Sequence, residues 1–205
     1  HVFLLWHKAS MIIPCALCPG NCTDLALVRR SLMIYHRVMS KRVTEAVVHT
    51  IPPFLQPDSR MLVLGSFPSV KSRQAGFYYG HPQNRFYRVL AAVFHDEVPD
   101  TIPRKMAFLK EHRVAVWDVV WRCQISGSSD ASIIKAEPNN VASLVRGSAI
   151  ERVLINGQQA ASLYHRYAAM MPNLPCFVLP STSAANASYF LERLVDAWKQ
   201  ALKTY

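Results

Sequence analysis

Met61-Leu62-Val63-Leu64-Gly65-Ser66-Phe67-Pro68-Ser69 is the stretch on which the reading of the fold turns. Four apolar residues without polar alternation describe a strand buried on both faces, and Gly65 with Pro68 describes a sharp loop at its carboxyl end. The same form recurs at Arg113 to Trp117, Arg152 to Asn156 and Cys176 to Leu179. Between and after these runs the apolar spacing becomes helical, at Arg85 to Phe94, Arg104 to His112, Asn140 to Gly147, Gln158 to Met170 and Ala184 to Leu202. Apolar strands need cover on both faces, and alternation with helices supplies it. The expectation is an α/β three-layer sandwich, with a mainly parallel sheet of about four strands flanked by helices. Ligands of such sheets bind beyond the carboxyl ends of the strands. Gly65 to Ser69, Asp118, Asn156-Gly157 and Pro180 to Ser183 are therefore the places to look for a site.

The bulk composition agrees. A chain of 205 residues, 51% hydrophobic and 18% charged, supports one compact domain with a buried core and room for a tail. A formal net charge of +10 suits binding to a polyanion through counterion release. Residues 1-38 hold only four of the 23 basic side chains (Lys8, Arg29, Arg30, Arg37), so the remainder is basic by itself. Those first 38 residues show no sustained period, and their apolar stretch Val2 to Trp6 is too short to span a bilayer and lacks a signal-peptide cleavage pattern. Residues 1-38 read as an N-terminal extension outside the fold, with a natural start at Met39 and a domain over 39-205.

Five cysteines are an odd number and give no disulfide framework; Cys123 and Cys176 stand alone in apolar surroundings, which suits reduced thiols inside a cell. Cys15, Cys18 and Cys22, with His7 or His36 as a fourth ligand, supply at most part of a zinc or iron-sulfur site, because the spacing lacks a second pair. No metal and no other cofactor is expected.

Three segments carry chemistry. In Gly65-Ser66-Phe67-Pro68-Ser69 the glycine permits close backbone approach, although the segment by itself is equally a plain turn. Phe77-Tyr78-Tyr79-Gly80-His81-Pro82-Gln83-Asn84-Arg85-Phe86-Tyr87 is a dense mixture leading into a helix. Aromatic faces stack on a base, amides read base edges or hold a water, and arginine meets phosphate. Phe86, Tyr87, Val89 and Leu90 also form an apolar helix face, which leaves Tyr78 to His81 unexplained. Leu179-Pro180-Ser181-Thr182-Ser183-Ala184-Ala185-Asn186 turns from a strand towards the last helix; one of its hydroxyls is expected to cap that helix, whose free N–H groups suit a DNA phosphate.

Together these segments resemble the uracil-DNA glycosylase superfamily, most closely its hypoxanthine-DNA glycosylase branch, from about Ile51 to Lys203. His81-Pro82-Gln83-Asn84-Arg85-Phe86 is also similar to the mismatch-specific uracil and thymine glycosylases. Those relatives carry a catalytic Asn, and the uracil enzymes an Asp, inside the first motif, where this chain has Phe67; the His that many uracil enzymes place before the last Pro-Ser is Leu179 here. Both departures point to the hypoxanthine branch, in which the Asn matching Asn84 is catalytic. The resemblance implies a monofunctional glycosylase acting in base excision repair on DNA that contains a deaminated base. With the cysteine usage, the expectation is a cytoplasmic, DNA-associated protein that works as a monomer and without a membrane.

On that reading Asn84 orients water, Gly65 to Ser69 cradle the base, Tyr79 stacks on it and Phe67 shapes the pocket floor. Tyr78 serves either purpose, and His81 makes a structural hydrogen bond in preference to direct chemistry. Ser181, Thr182, Ser183 and Asn186 press on the DNA, Arg85 is a phosphate contact or a structural partner, and Asp118 and Asp130 orient Asn84 or the base, or serve only as caps and surface pairs. Two rival classes remain: a nucleic-acid-binding module without activity, and a different α/β enzyme acting on a nucleotide. Neither a G-x-G-x-x-G after a strand nor a P-loop is present.

Overall fold

The computed structural model describes residues 45–127 and 129–203. The readings made for residues 1-38, for Cys15, Cys18 and Cys22 and for His7 and His36 lie outside the described residues. The central sheet has four parallel strands in the order β3-β2-β6-β7. They are β2 (Met61–Gly65), β3 (Val114–Asp118), β6 (Arg152–Asn156) and β7 (Cys176–Leu179). Each lies within a residue of its position in the sequence reading. A second sheet, which that reading did not contain, is antiparallel and three-stranded in the order β1-β4-β5. It joins β1 (Glu45–Val48), β4 (Val120–Ile125) and β5 (Ile134–Pro138).

β2 shows why the parallel sheet needs two covering layers: Leu62, Val63 and Leu64 are all fully buried. Val63, Val116 and Leu154 face a core built with α2 (Phe86–Phe94), α3 (Ile102–Glu111) and α6 (Leu191–Lys203). Leu62, Leu64, Ala115, Val153 and Ile155 face a second core. That one is closed by α4 (Val141–Val145), α5 (Gln158–Arg166) and the inner residues of the antiparallel sheet. Truncating a side chain such as Leu64 to alanine would cost about 2–5 kcal/mol in lost burial and cavity.

The helix ends follow local chemistry. Ser69 accepts the Ser72 N–H to start α1 (Val70–Ala75), and Gly76, at φ 69°, ends it in the left-handed region. Thr101 accepts from Arg104 N at the start of α3, with Pro103 in its first turn, where a missing N–H costs nothing. The last helix begins at Leu191, not at Ala184. Residues 181–190 form a loop instead, so none of Ser181, Thr182 and Ser183 caps α6. Two of those hydroxyls serve the loop: Ser181 Oγ accepts from Ser183 N and Ser183 Oγ from Ala185 N. Of the two cysteines in the described region Cys123 is buried, and burial pushes its thiol up to about 11; Cys176 is exposed on β7, contrary to the apolar setting expected for it. No helix among the described residues is long and apolar enough to cross a membrane.

Candidate active site

The carboxyl ends of β2, β3 and β6 meet the turn before α2 and the loop after β7 around a cavity of about 100 Å³. Gly65, Ser66, Phe67, Pro68 and Ser69 line one side, with Ser72 of α1 behind them; Tyr78, Tyr79 and Asn84 line another. Asp118, Asp130, Asn156, Ser181, Thr182 and Ser183 complete it. An apolar cavity of roughly 150 Å³ takes a benzene ring. The space here is smaller than that but open at its mouth, so it takes one edge of a flat heterocycle, with the rest of the ring and anything attached to it left towards the mouth.

Gly65 is at the tightest point. A Cβ there would sit 2.3 Å from Asp118 Oδ1, closer than any side chain tolerates. Asp118 has little room to give, being 5% exposed with Oδ2 held by His49 Nε2 at 2.9 Å, while its main-chain carbonyl accepts from Asn139 Nδ2 at 2.9 Å. A buried carboxylate persists when it is paired in this way. His49 follows β1, and its side chain is buried beneath the site with its ring edge-on to Phe67.

Asp130 lies in a short 3-10 turn between β4 and β5. The residue as a whole is exposed, yet its carboxyl is crowded at the rim of the cavity. Loss of solvent, with repulsion from Asp118, pushes it up to about 6 against the opposing hydrogen bond from Ser66.

The aromatic segment divides its labour. Tyr78 is buried, and its hydroxyl donates to the carbonyls of Ile51 and Pro52 at 3.2 and 3.0 Å. Tyr79 adopts φ 53°, an uncommon conformation for a residue with a side chain. Its ring stacks on Phe86 with centroids 3.8 Å apart, so one face is covered. Asn84 Oδ1 accepts from Phe86 N at 3.0 Å, which fixes the amide at the start of α2; its Nδ2 has no partner among the described residues. His81 stands off the cavity, where its Nδ1 accepts from Gln83 N at 3.2 Å and its carbonyl accepts from Asn84 N at 2.9 Å. It shapes the turn that presents Asn84.

Arg85 gives its donors to the 181–190 loop. Its guanidinium donates to the carbonyls of Thr182 at 3.5 Å, Ser183 at 2.7 Å, Asn186 at 3.0 Å and Tyr189. Of the two roles expected for it, the geometry gives the structural one, a brace that holds an irregular loop against α2. The loop is fixed further by Thr182, whose N–H donates to Asn156 Oδ1 and whose Oγ1 accepts from Asn156 Nδ2, both at 2.9 Å. Asn186 Nδ2 donates to Ser181 O at 2.9 Å. Gly157, at φ 103°, lets the loop approach β6, since a Cβ there would lie 2.9 Å from that of Ser181. Asn186 stands outside the cavity and lines a neighbouring open groove of about 580 Å³, which shares Asp130, Ser181 and Ser183 with it.

Eleven of the fourteen site residues proposed from sequence line the cavity; His81, Arg85 and Asn186 do not. Sequence reasoning missed Ser72, which anchors the Gly80 N–H at 3.0 Å, and His49 beneath Asp118. Neither stands in a motif, and only the folded chain brings them to the site. Asn156 was visible as a strand-end residue, but its pairing with Thr182 was not.

The description "Uracil DNA glycosylase superfamily" matches residues 52–203. A hypoxanthine DNA glycosylase of Methanosarcina barkeri is 29% identical over 155 residues, which are 74% of this chain and 96% of that protein. Another, from Methanosarcina acetivorans, is 30% identical over 144 residues, 69% of this chain and 90% of the relative. A solution NMR structure of a candidate uracil DNA glycosylase from Methanosarcina acetivorans superimposes with a TM-score of 0.64 at 28% identity, covering 75% of this chain and 94% of that one. With the fold, the strand-end cavity and these matches in agreement, the chain belongs to the uracil DNA glycosylase superfamily.

Proposed function

We propose that the protein is a monofunctional DNA glycosylase that hydrolyses the N-glycosidic bond of a deaminated base, with hypoxanthine its preferred substrate. The observation that carries this reading is Asn84, fixed by Phe86 N–H on the wall of a cavity whose other walls are the loops after β2 and β7. The names of the two relatives favour hypoxanthine, as do Phe67 and Leu179 at the places where uracil-removing enzymes carry Asn or Asp and His.

A base is out of reach inside the stack, so the nucleotide is extruded, most cheaply where damage has weakened pairing. The base enters the cavity edge first and its sugar stays at the mouth. As the bond to the base lengthens, the sugar gains oxocarbenium character and water attacks the anomeric carbon. Asn84 holds that water. Its Oδ1 keeps a lone pair beyond the one given to Phe86 N–H, and its Nδ2 is free to donate among the described residues. An amide is no base at neutral pH, so positioning and electrostatics carry the rate, with backbone N–H groups of the Gly65 to Ser69 loop facing the departing base. Ser181, Ser183 and Asn186, on the braced loop, face the DNA backbone, whereas Thr182 is fully buried and serves to hold that loop to Asn156. The basic surface supplies non-specific affinity.

The test is release from duplexes carrying one hypoxanthine or one uracil, read as alkali-sensitive strand breaks. Hypoxanthine release without strand cutting before alkali supports the proposal. Uracil release alone moves the protein to another branch, and release of neither favours a binding module.

A further inference from the structure

Tyr79 is held by everything except its hydroxyl. Its ring lies flat on Phe86, which is itself fully buried and edge-on to Trp198 and Tyr87. The hydroxyl is buried and, among the described residues, finds no acceptor for its hydrogen. Buried polar groups are nearly always paired, and an exception calls for a reason, such as a ligand. Tyr79, Gly65, Asp118 and Asn156 all line the cavity; a Cβ at Gly65 would come within 3.6 Å of the hydroxyl, and Asp118 and Asn156 are its polar neighbours. Asn156 gives Oδ1 to Thr182 N–H and one Nδ2 hydrogen to Thr182 Oγ1; its second Nδ2 hydrogen can point only at the lone pairs of the Tyr79 oxygen, which leaves the hydroxyl's own hydrogen without an acceptor. Burial, then the Asp118 carboxylate, raise the hydroxyl's pKa well above the ordinary tyrosine range. It stays an O–H at neutral pH and is available as a donor.

We propose that the Tyr79 hydroxyl reads the base, donating a hydrogen bond to the exocyclic carbonyl oxygen that deamination leaves in place of an amino group. The inference rests on the glycosylase reading above and adds what selects the substrate. Deamination of adenine, cytosine or guanine exchanges an N–H donor for a C=O acceptor at one ring position. A donor waiting in the cavity lining favours the product of that change. The ring of Tyr79 forms a wall of the cavity, and the hydroxyl acts separately from it.

Tyr79→Phe deletes the hydroxyl and keeps the stack on Phe86. Single-turnover rates of the full chain and the variant would be compared on duplexes carrying hypoxanthine or unsubstituted purine, which lacks the 6-oxygen. The expected result is about a tenfold fall on hypoxanthine, a much smaller fall on purine, and a melting temperature unchanged or higher. If purine is cut too slowly to measure, the fall on hypoxanthine decides. Equal losses on both bases, or no loss, would overturn the proposal, and so would a drop of several degrees in melting temperature, which marks a structural hydroxyl. Failure of the parent chain to release hypoxanthine refutes the underlying function, a result distinct from an active parent matched by an equally active variant.

Discussion

Replacing Arg85 by lysine keeps the positive charge and removes the planar fork. The guanidinium serves four carbonyls spread from Thr182 to Tyr189. An ammonium is a compact point with three donors and cannot span that arc. At least two of these bonds are lost, and hydrogen bonds to a charged group contribute about 1.5 kcal/mol each at the low end. The variant is therefore expected to lose about 3 kcal/mol, which at 2–4 °C per kcal/mol for a chain of this size lowers the melting temperature by about 6–12 °C. Arg85→Ala falls at least as far. The assay pairs thermal unfolding of both variants with the salt dependence of duplex binding. A brace predicts that both melt early while the slope of log affinity against log salt hardly changes. The reasoning is refuted if lysine restores full thermal stability and only alanine lowers the salt slope, by about 0.9 per lost contact, because that is the signature of a phosphate contact.

Gly65→Ala drives a methyl into Asp118 Oδ1. It should cost about 2–3 kcal/mol in chemical denaturation and cost clearly less in an Asp118→Ala background, where the obstruction is gone; additive losses would remove the steric explanation. Asp130 gives a pH-dependent outcome. Its carboxyl is raised to about 6 in the folded protein, so the stability tied to its protonated form is complete below the unfolded value and is lost as pH rises through about 6. Asp130→Asn should therefore melt higher than the parent at pH 7.5, with the gap closing towards pH 4, and a gap that is constant with pH would count against the shift.

The parallel sheet was legible because its strands read as apolar runs: β2, β3 and β6 are buried on both faces, and the edge strand β7 keeps an apolar composition although Cys176 and Val178 are exposed on one face. Arg152–Asn156 and Cys176–Leu179 coincide with β6 and β7 to the residue. The antiparallel sheet was not legible. In β4 the buried Val120, Cys123 and Ile125 are interrupted by exposed Trp121 and Arg122, and its partner β1 lies far back in the chain. β5, Ile134–Pro138, has no fully buried residue to give it a period. The start of α6 was misplaced for a different reason. Ser181 to Asn186 has the composition of a helix cap and first turn, but the pairing of Thr182 with Asn156 and the pull of Arg85 on four carbonyls hold it as a loop.

At the site, residues that follow a strand were legible because topology alone sends them to the carboxyl edge of the sheet. Long-range pairings such as His49 with Asp118 were not, since nothing local in Val48-His49-Thr50 announces a partner 69 residues away. The direction of a side chain was equally hidden. Tyr79 could be proposed as a stacking residue, but its covered face, and a hydroxyl hydrogen without an acceptor among the described residues, emerge only from the folded chain.

The central claim is that Asn84 positions the water that cleaves the glycosidic bond. The direct measurement compares the parent chain with Asn84→Ala on a hypoxanthine-containing duplex, following base release in single turnover and duplex affinity in parallel. The account predicts that release falls by two orders of magnitude or more, on the scale of losing a group aimed at the transition state, while affinity changes little. Undiminished release by Asn84→Ala would contradict it.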